Sequence, residues 1–338
     1  MGLNELWFAL LGVLLTGYAI LDGFDLGVGI LHLVAREDKE RRVMLNSIGP
    51  LWDGNEVWLV TFGGALFAAF PECYATTFSA FYTPFIILLF ALIFRAVSLE
   101  FRSKIDSPTW RSLWDVAFWL SSAVATLLFG VAVGNAMLGL PIGADKEFQG
   151  TLLDLLRPYS LLVGLLTVSL FAMHGANYLL LKTDGALRDR IYMWAWHSFG
   201  VFLVLYVLTT IFTLVKIPHA TANLNKYPVG WLIVVLNVLA ITNIPRALFM
   251  HKPFYAFISS ACTIAALNFL FGAALFPNLL VSSLNPEWNL TIYNAASSPK
   301  TLGIMAIIAA LGMPFVLAYT SVVYWTFRGK VEIGKFGY

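Results

Sequence analysis

Hydrophobic residues form nine long stretches separated by short polar connections, and this alternation runs through the whole chain. A helix that crosses a bilayer needs about 20 mostly apolar residues, which each stretch approaches or exceeds. We therefore predict an all-α polytopic membrane protein, with residues 1–338 forming a single integral membrane domain. The nine predicted transmembrane helices cover residues 6–34, 48–70, 76–98, 114–138, 155–181, 194–216, 229–250, 253–277 and 303–327.

The lengths and order of these helices predict two groups. Residues 1–138 would form a first four-helix bundle and residues 155–277 a second, with residues 303–327 as an extra peripheral helix. A tight turn at His251–Pro253 would join the seventh and eighth helices.

Two small-residue motifs predict places where helices come into close contact. They are Gly23-x-x-x-Gly27 and Gly130-x-x-x-Gly134. Glycines four residues apart share one helix face and allow two backbones to approach each other. The motif is common, so it indicates packing and not a function.

Composition and charge narrow the class of protein. Hydrophobic residues make up 59% of the chain and charged residues 12%, with a formal net charge of +2. So few charges indicate a polytopic membrane protein, and the near-zero net charge argues against a nucleic-acid partner. Cys73 and Cys262 lie too far apart in sequence to suggest a disulfide framework or a thiolate metal site, so no metal is predicted.

The distribution of basic residues predicts the orientation. Sixteen of the 21 Lys and Arg residues fall in connections on one side of the predicted helices, including Arg328, Lys330 and Lys335 in the C-terminal tail. Because basic residues are retained on the cytoplasmic side, the N-terminus would lie outside and the C-terminus in the cytoplasm.

Four carboxyl groups at membrane depth are the strongest chemical feature of the chain. Asp22 and Asp25 lie inside the first hydrophobic stretch, and Asp53 and Glu56 lie near the start of the second. Each costs about 2.5–3.5 kcal/mol at a helix centre on insertion scales. Polar groups at such positions usually face a bundle interior and handle ions or protons.

Helical spacing places these carboxyl groups on polar stripes. On the first helix the stripe is Tyr18, Asp22, Asp25, Gly29 and His32, and on the second it is Asn46, Gly49, Asp53 and Glu56. Both stripes lie in the predicted cytoplasmic halves of their helices.

Arg95 and Glu100 end the third predicted helix on the same side and are candidates for structural ion pairs. Two interpretations therefore stay open and are compatible. In one, Arg95 neutralises a carboxylate within a structural network. In the other, the carboxyl groups form a proton path, since one cation cannot balance four carboxylates at one depth.

Two histidines raise the question of a haem. His174 and His197 lie on the fifth and sixth predicted helices, toward the cytoplasmic side. A bis-His haem is conceivable, but interhelical hydrogen bonding is the commoner role of such residues. We assign no catalytic residue and no cofactor site to this chain from its residues.

Several runs of residues resemble one family. They are Leu21–Gly29, Glu40–Trp58 with its Trp-Asp-Gly-Asn-Glu-Val-Trp segment, Gly63–Pro71, Phe94-Arg95, Phe101–Ile105, Trp110-Arg111 and Trp114-Asp115. Together they resemble subunit II of cytochrome bd-type quinol oxidases, most strongly over residues 18–115. The resemblance is looser afterwards but extends over the whole chain.

The resemblance implies a respiratory complex of the bacterial cytoplasmic membrane. Its subunit I would carry the b-type and d-type haems, oxidise quinol and reduce O2 to water. Subunit II would be free of haem, contribute a cytoplasmic proton path to this electrogenic reaction and be inactive alone. The Asp of the Trp-Asp-Gly-Asn segment, Asp53, is carried over for the proton path, and Asp25 is a weaker carry-over.

The other expected partners are membrane lipids, quinol and a small accessory subunit. Whether a quinone binds within this subunit stays open. Two alternative functions also stay open, a stand-alone proton-coupled secondary transporter and a purely structural scaffold. Transporters often have broken helices at the membrane midplane in both halves, whereas the charges here are confined to one side.

Overall fold

A computed structural model of the chain describes residues 2–331, so that Lys335 of the basic tail lies outside the described residues. Within that range the helices are α1 (Leu3–Leu31), α2 (Asp38–Ile48), α3 (Trp52–Ala69), α4 (Pro71–Ala80), α5 (Tyr82–Phe101), α6 (Pro108–Leu138), α7 (Pro158–Lys182), α8 (Gly185–Lys216), α9 (Ala222–Lys226), α10 (Trp231–Phe249), α11 (Pro253–Leu275) and α12 (Pro299–Thr326). A short antiparallel pair, β1 (Asn278–Leu280) and β2 (Leu290–Thr291), lies between α11 and α12.

Over residues 2–331, eight helices are long and apolar enough to cross a membrane. They are α1, α5, α6, α7, α8, α10, α11 and α12, some with a short extension. The prediction of an all-α, multi-pass membrane protein is confirmed, but the count of nine is not. The missing member is α3, whose mean hydropathy is lowered by Asp53, Asn55 and Glu56 in its first two turns.

Two of the predicted spans are interrupted in the structure. The second was expected to start at residue 48, but a turn at residues 49–51 separates α2 from α3. Pro50 lacks a backbone N–H and therefore cannot donate to the carbonyl of Asn46, so α2 ends before it. The third is divided at Phe81 into α4 and α5, because Pro84 cannot donate to the carbonyl of Ala80 and its ring crowds that carbonyl.

Helix α7 lies at the centre of the molecule and packs against α1, α6, α8 and α11. Where α1 crosses it, a Cβ on Gly27 would overlap the carbonyl oxygen of Phe171, and Gly175 is equally close to the α1 backbone. On the other side, a Cβ on Gly130 would lie 2.7 Å from the Cα of Gly164. The close approaches predicted from the glycine motifs are therefore confirmed.

One continuous apolar cluster contains buried residues from helices of both predicted groups. The two predicted bundles therefore do not have separate cores within the described residues. The division into two four-helix bundles stays a prediction. The predicted tight turn between the seventh and eighth spans is confirmed, since α10 ends at Phe249 and α11 begins at Pro253.

Helix α12 lies at the edge, and Leu302 is its only buried residue. Its C-terminal end is attached to the end of α7 by two lysines. Lys182 Nζ donates to the Phe327 carbonyl at 2.5 Å, and Lys330 Nζ donates to the Thr183 carbonyl at 2.6 Å. This anchor sets where the side chains of α12 meet α3.

Candidate functional site

The polar groups predicted on the first stripe are buried. Relative exposures in the isolated chain are 3% or less for Tyr18, Asp22, Asp25 and His32. They lie along α1 on the face that packs into the helix assembly. The side chains they contact come from α3, α5 and α6, so the site depends on how several helices meet.

A single arginine holds two of the predicted carboxylates. Arg95 on α5 is fully buried and donates to both oxygens of Asp22, at 2.6 and 3.2 Å. Its Nη1 also donates to Glu56 on α3 at 2.7 Å. A two-pronged guanidinium–carboxylate pair of this kind is strong and directional. These contacts support the prediction that Arg95 forms structural ion pairs. Glu100 lies exposed near the end of α5, and its role in an ion pair stays a prediction.

Asp25 has different surroundings. It is fully buried, and its Oδ2 accepts a hydrogen bond from Asn55 Nδ2 at 2.7 Å. Its Oδ1 has no hydrogen-bond partner among the described residues. Asn55 in turn accepts from the hydroxyl of Tyr324 on α12 at 2.8 Å. We call Asp22, Asp25, Asn55, Glu56 and Arg95 the carboxylate cluster.

The sequence analysis had not assigned a role to Asn55 or Tyr324. Asn55 lies in the Trp-Asp-Gly-Asn-Glu-Val-Trp segment that resembles the family, so that segment contained a signal, but neither residue is ionised and neither stood out by charge. Asn55 lies between Asp53 and Glu56 in the chain and faces α1, as its relative exposure of 2% shows.

Asp53 is not part of the cluster. Residues in a helix are 100° apart, so Asp53 lies about 200° around α3 from Asn55 and points to the opposite side. It is exposed in the first turn of α3, where the helix dipole favours a negative charge. The spacing of three between Asp53 and Glu56 suggested a shared face, but the structure leaves only Glu56 beside Arg95. The side chain of Glu56 is 25% exposed, so it lies between the buried cluster and the exposed surface that contains Asp53.

The second predicted stripe is also divided. Asn46 lies on α2 and Gly49 in the turn that follows it, so neither shares a helix with Asp53 and Glu56. The continuous stripe was wrong because the turn at Pro50 changes the direction of the chain.

A second charged network joins the helix ends nearby. The carboxylate of Asp115 on α6 accepts from His32 Nε2 at 2.5 Å, from Arg102 Nε at 2.6 Å and from Arg41 Nη1 at 2.8 Å. Arg102 also donates to Asp38 at 2.7 Å. His32 therefore belongs to this network and not to the carboxylate cluster, although the stripe on α1 predicted them together.

The network fixes α2 to the ends of three long helices, and a further ion pair between Glu40 and Arg190 ties α2 to α8. Burial alone would raise the pKa of Glu40, but the N–H of Arg36 and the Arg190 guanidinium lower it below its ordinary value. Glu40 is therefore charged at neutral pH. The surface helix α2 is held as a fixed cover over this end of the molecule.

The described residues do not fit a haem at the two histidines. His174 is fully buried, with Nδ1 2.7 Å from the Ser260 hydroxyl and Nε2 3.1 Å from the Ile20 carbonyl. Its ring also stacks on Phe257 at a centroid distance of 4.8 Å. His197 is exposed on α8. Because both nitrogens of His174 are engaged by the protein, we derive no step through a haem in this chain.

Residues 2–331 also contain no group of three or more His, Cys, Asp or Glu side chains that could hold a metal ion. What the carboxylate cluster can do is bind and release protons. Carboxyl groups and their hydrogen-bond partners are the elements of proton relays in membrane proteins.

Comparison with known proteins gives a consistent result. The model of the family described as cytochrome bd terminal oxidase subunit II matches residues 3–327. The chain is 38% identical to "Cytochrome bd-I ubiquinol oxidase subunit 2" of Escherichia coli K12, over 97% of this chain and 95% of that protein. It is 36% identical to "Cytochrome bd ubiquinol oxidase subunit 2" of Bacillus subtilis 168, over 98% and 97%.

The fold is also similar to that of a solved structure. A chain of the bd oxidase from Geobacillus thermodenitrificans superposes with a TM-score of 0.81, covering 97% of this chain and 99% of that one. The sequence identity is 19%, so this likeness supports the fold alone.

Proposed function

The chain belongs to the family of cytochrome bd terminal oxidase subunit II, and from that premise we propose that it delivers protons to an oxygen-reducing centre in a haem-bearing partner, subunit I. Members of the family are parts of quinol oxidases of the respiratory chain. In this proposal the haems b and d belong to the partner, the chain has no catalytic residue of its own, and it is inactive alone.

The observation that supports a proton path is the charge balance of the carboxylate cluster. One buried cation, Arg95, hydrogen-bonds to Asp22 and Glu56, whereas among the described residues Asp25 hydrogen-bonds only to the neutral amide of Asn55. A buried carboxylate without a cation is strongly unfavourable, so such a group tends to hold a proton. Asp25 is therefore the residue that we propose to hold and pass on a proton.

The roles of the carboxyl groups then differ. We assign Asp22 mainly to the ion pair with Arg95, which keeps that charge in place. Asp53 is the proposed entry group, because it lies in the first turn of α3, at the predicted cytoplasmic end of that helix. Glu56 is partly exposed and pairs with Arg95, so it would link the entry to the interior. Water would have to bridge Asp53 to the cluster, since no direct hydrogen bond joins them among the described contacts.

The surface that contains Asp53 also suggests where the partner binds. Exposed residues at intervals of three and four form a stripe along α3, and they are Asp53, Val57, Val60, Gly64 and Phe67. We call these five residues the outer stripe of α3. Val60 and Phe67 are 73% and 59% exposed. Protons must leave this chain for subunit I, so we propose that subunit I covers the outer stripe.

The topology of the proposal needs α3 as a ninth span. Its 18 residues extend about 27 Å, and α4 continues directly from it. With nine spans, the basic residues remain segregated as the sequence analysis predicts, with the N-terminus outside and the C-terminus in the cytoplasm. The two four-helix groups and peripheral α12 are part of this proposal.

Several features of the proposal come from the family alone. These are the bacterial inner membrane as location, net charge transfer across the membrane, quinol as electron donor and a small accessory subunit. A quinone bound in this subunit stays a prediction, because no contact among residues 2–331 identifies its place.

The test compares Asp25→Asn and Asp53→Asn in the assembled oxidase. We expect both variants to assemble with normal haem spectra and to consume oxygen at a rate reduced at least about tenfold, since general acid–base groups typically contribute about 10²–10⁴-fold. The affinity for quinol should stay nearly unchanged. Oxygen consumption with saturating quinol, measured against haem content, gives the rate.

Asp106→Asn is the matched control, because Asp106 is 93% exposed and lies outside the cluster. It should leave the rate unchanged. Full turnover in assembled Asp25→Asn and Asp53→Asn oxidases would remove these residues from the mechanism. Loss of assembly without a change in turnover per haem would support the structural-scaffold alternative instead.

A further inference from the structure

A cavity of about 460 Å³ lies where the ends of α7, α8, α10 and α11 meet, away from the carboxylate cluster. Its charged lining has two cations, Arg188 and Lys252, and one carboxylate, Asp189, and the rings of Tyr192 and His251 add polar groups. Leu180 and Leu248 supply apolar wall. The cavity is thus large enough for a small group, partly apolar, and positively charged.

The two cations of the cavity have little internal neutralisation. The carboxylate closest to Arg188 is Asp184 at 3.8 Å, and Asp184 lies closer to Lys330, at 3.3 Å. Lys252 Nζ has no carboxylate partner among the described residues and lies 5.8 Å from the centre of the Tyr255 ring. Most of the N–H donors of both side chains are therefore available to an anion.

The backbone holds the basic turn in one conformation. His251 adopts a left-handed geometry with φ of 53°, a position at which glycine is usual. Its N–H donates to the Leu248 carbonyl at 2.8 Å, and the N–H of Lys252 donates to that of Ala247 at 2.9 Å. These two bonds form a closed cap at the end of α10.

The wall beside the turn is rigid as well. Tyr192 donates its hydroxyl to the Leu248 carbonyl, and its ring stacks on that of His251 with centroids 5.1 Å apart. The positive groups are therefore presented by fixed elements, which lowers the entropy cost of binding a ligand.

We propose that this cavity binds the phosphate of an anionic membrane phospholipid. The cavity lies at the ends of four helices, the level of lipid headgroups, on the side of the molecule rich in basic residues. Basic pockets between membrane helices on that side are suited to acidic headgroups. Guanidinium and ammonium groups bind phosphate oxygens through short, charge-assisted hydrogen bonds.

The apolar surroundings favour a lipid over a soluble phosphate. Met193, which lines the cavity, is 53% exposed, and Phe254 in the adjoining first turn of α11 is 58% exposed. Acyl chains would cover these side chains while the headgroup occupies the cavity. Inorganic phosphate would leave them in contact with water.

The test measures lipid binding to the oxidase that contains this chain, after removal of lipid in detergent. Palmitoyl-oleoyl phosphatidylglycerol and the corresponding phosphatidylcholine are titrated separately, and bound lipid is counted by native mass spectrometry. We expect tighter binding of phosphatidylglycerol. We expect Arg188→Gln/Lys252→Gln to weaken it roughly thirtyfold, from the contribution of two basic residues to acidic-lipid binding.

Arg36→Gln/Lys104→Gln is the matched control, since it removes two exposed basic residues from connections predicted on the same side. It should change the affinity less than about threefold. The charge-conserving Arg188→Lys/Lys252→Arg should bind like the unmodified protein, and Lys252→Gln alone provides a milder variant if the double variant does not assemble.

Equal binding of both lipids, or an equal loss in the control variant, would overturn the proposal. So would displacement of phosphatidylglycerol by millimolar inorganic phosphate, because that result would assign the cavity to a soluble anion.

Discussion

At the scale of single residues, the decisive feature is that one buried arginine binds two carboxylates, while a third has no hydrogen bond to a cation in the described part of the chain. Arg95 contacts Asp22 and Glu56, and Asp25 contacts Asn55. In a low-dielectric interior, the attraction within an ion pair offsets the free energy of desolvation only when the geometry is good and both partners are present. The arrangement therefore makes Arg95 a stabilising residue and Asp25 the candidate for proton transfer.

This division predicts that Arg95→Met destabilises the assembled protein strongly. Asp22 and Glu56 would lose their cation, and removal of one partner from a buried pair typically costs about 3–5 kcal/mol. The measurement is the thermal midpoint of the purified oxidase, together with its yield.

The matched control removes the charges together. The control is the triple variant Asp22→Asn/Glu56→Gln/Arg95→Gln. It leaves no unpaired charge among these three side chains and should recover much of the stability that Arg95→Met loses. If Arg95→Met were as stable as the unmodified protein, the pair would not hold the helices together, and the division of roles proposed above would be wrong.

At the scale of helices, two features decide how the chain packs. Helix α3 has two polar faces, with Asn55 directed at α1 and Asp53 on the outer stripe. Helices α1 and α7 touch backbone to backbone at Gly27 and Gly175. The second feature brings α1 into the centre and so fixes the depth at which Asp22 and Asp25 are buried.

This contact predicts that Gly175→Ala destabilises the protein. The added Cβ would overlap the α1 backbone, and overpacking of this kind typically costs about 1–3 kcal/mol. Gly200→Ala on α8 is the control, because no atom lies within 4 Å of a Cβ built there. It should be neutral or slightly stabilising, since alanine has the higher helix propensity. Equal thermal midpoints for the two variants would contradict the close contact.

At the scale of the whole molecule, the exposed outer stripe of α3 and the poorly buried α12 show that the isolated chain leaves apolar surface uncovered. Lipid can cover such surface, but Asp53 lies on the stripe, and a charge facing lipid is costly. A protein partner that accepts this charge, with water, is the more favourable neighbour. The proposed proton path would therefore depend on assembly with subunit I.

This dependence predicts that Val60→Trp on the outer stripe reduces co-purification of subunit I, because a large ring would separate the two surfaces. Val204→Trp on α8 is the matched control, since Val204 is a valine of similar exposure at 60% on another helix. Haem content per copy of this chain measures assembly. Normal haem content in Val60→Trp would place subunit I elsewhere.

The sequence predicted the helices and the membrane well because apolar length and helical period depend only on the chain. It predicted the glycine contacts and the burial of Asp22 and Asp25 for the same reason. The predicted bounds near Pro50 and Pro84 were wrong, because each hydrophobic stretch continues across a proline that interrupts the helical hydrogen bonds.

By itself, then, the sequence determined that carboxyl groups lie within apolar helices and on which face of α1 Asp22 and Asp25 lie. Only the tertiary structure decided their partners: Arg95 with Asp22 and Glu56, Asn55 between Asp25 and Tyr324, and His32 with Asp115. The physical reason is that periodicity fixes an angle around one helix axis, whereas a hydrogen bond depends on the rotation and depth of two helices relative to each other. Those are set by packing, here by the glycine contacts of α1 with α7 and by the lysine anchor of α12.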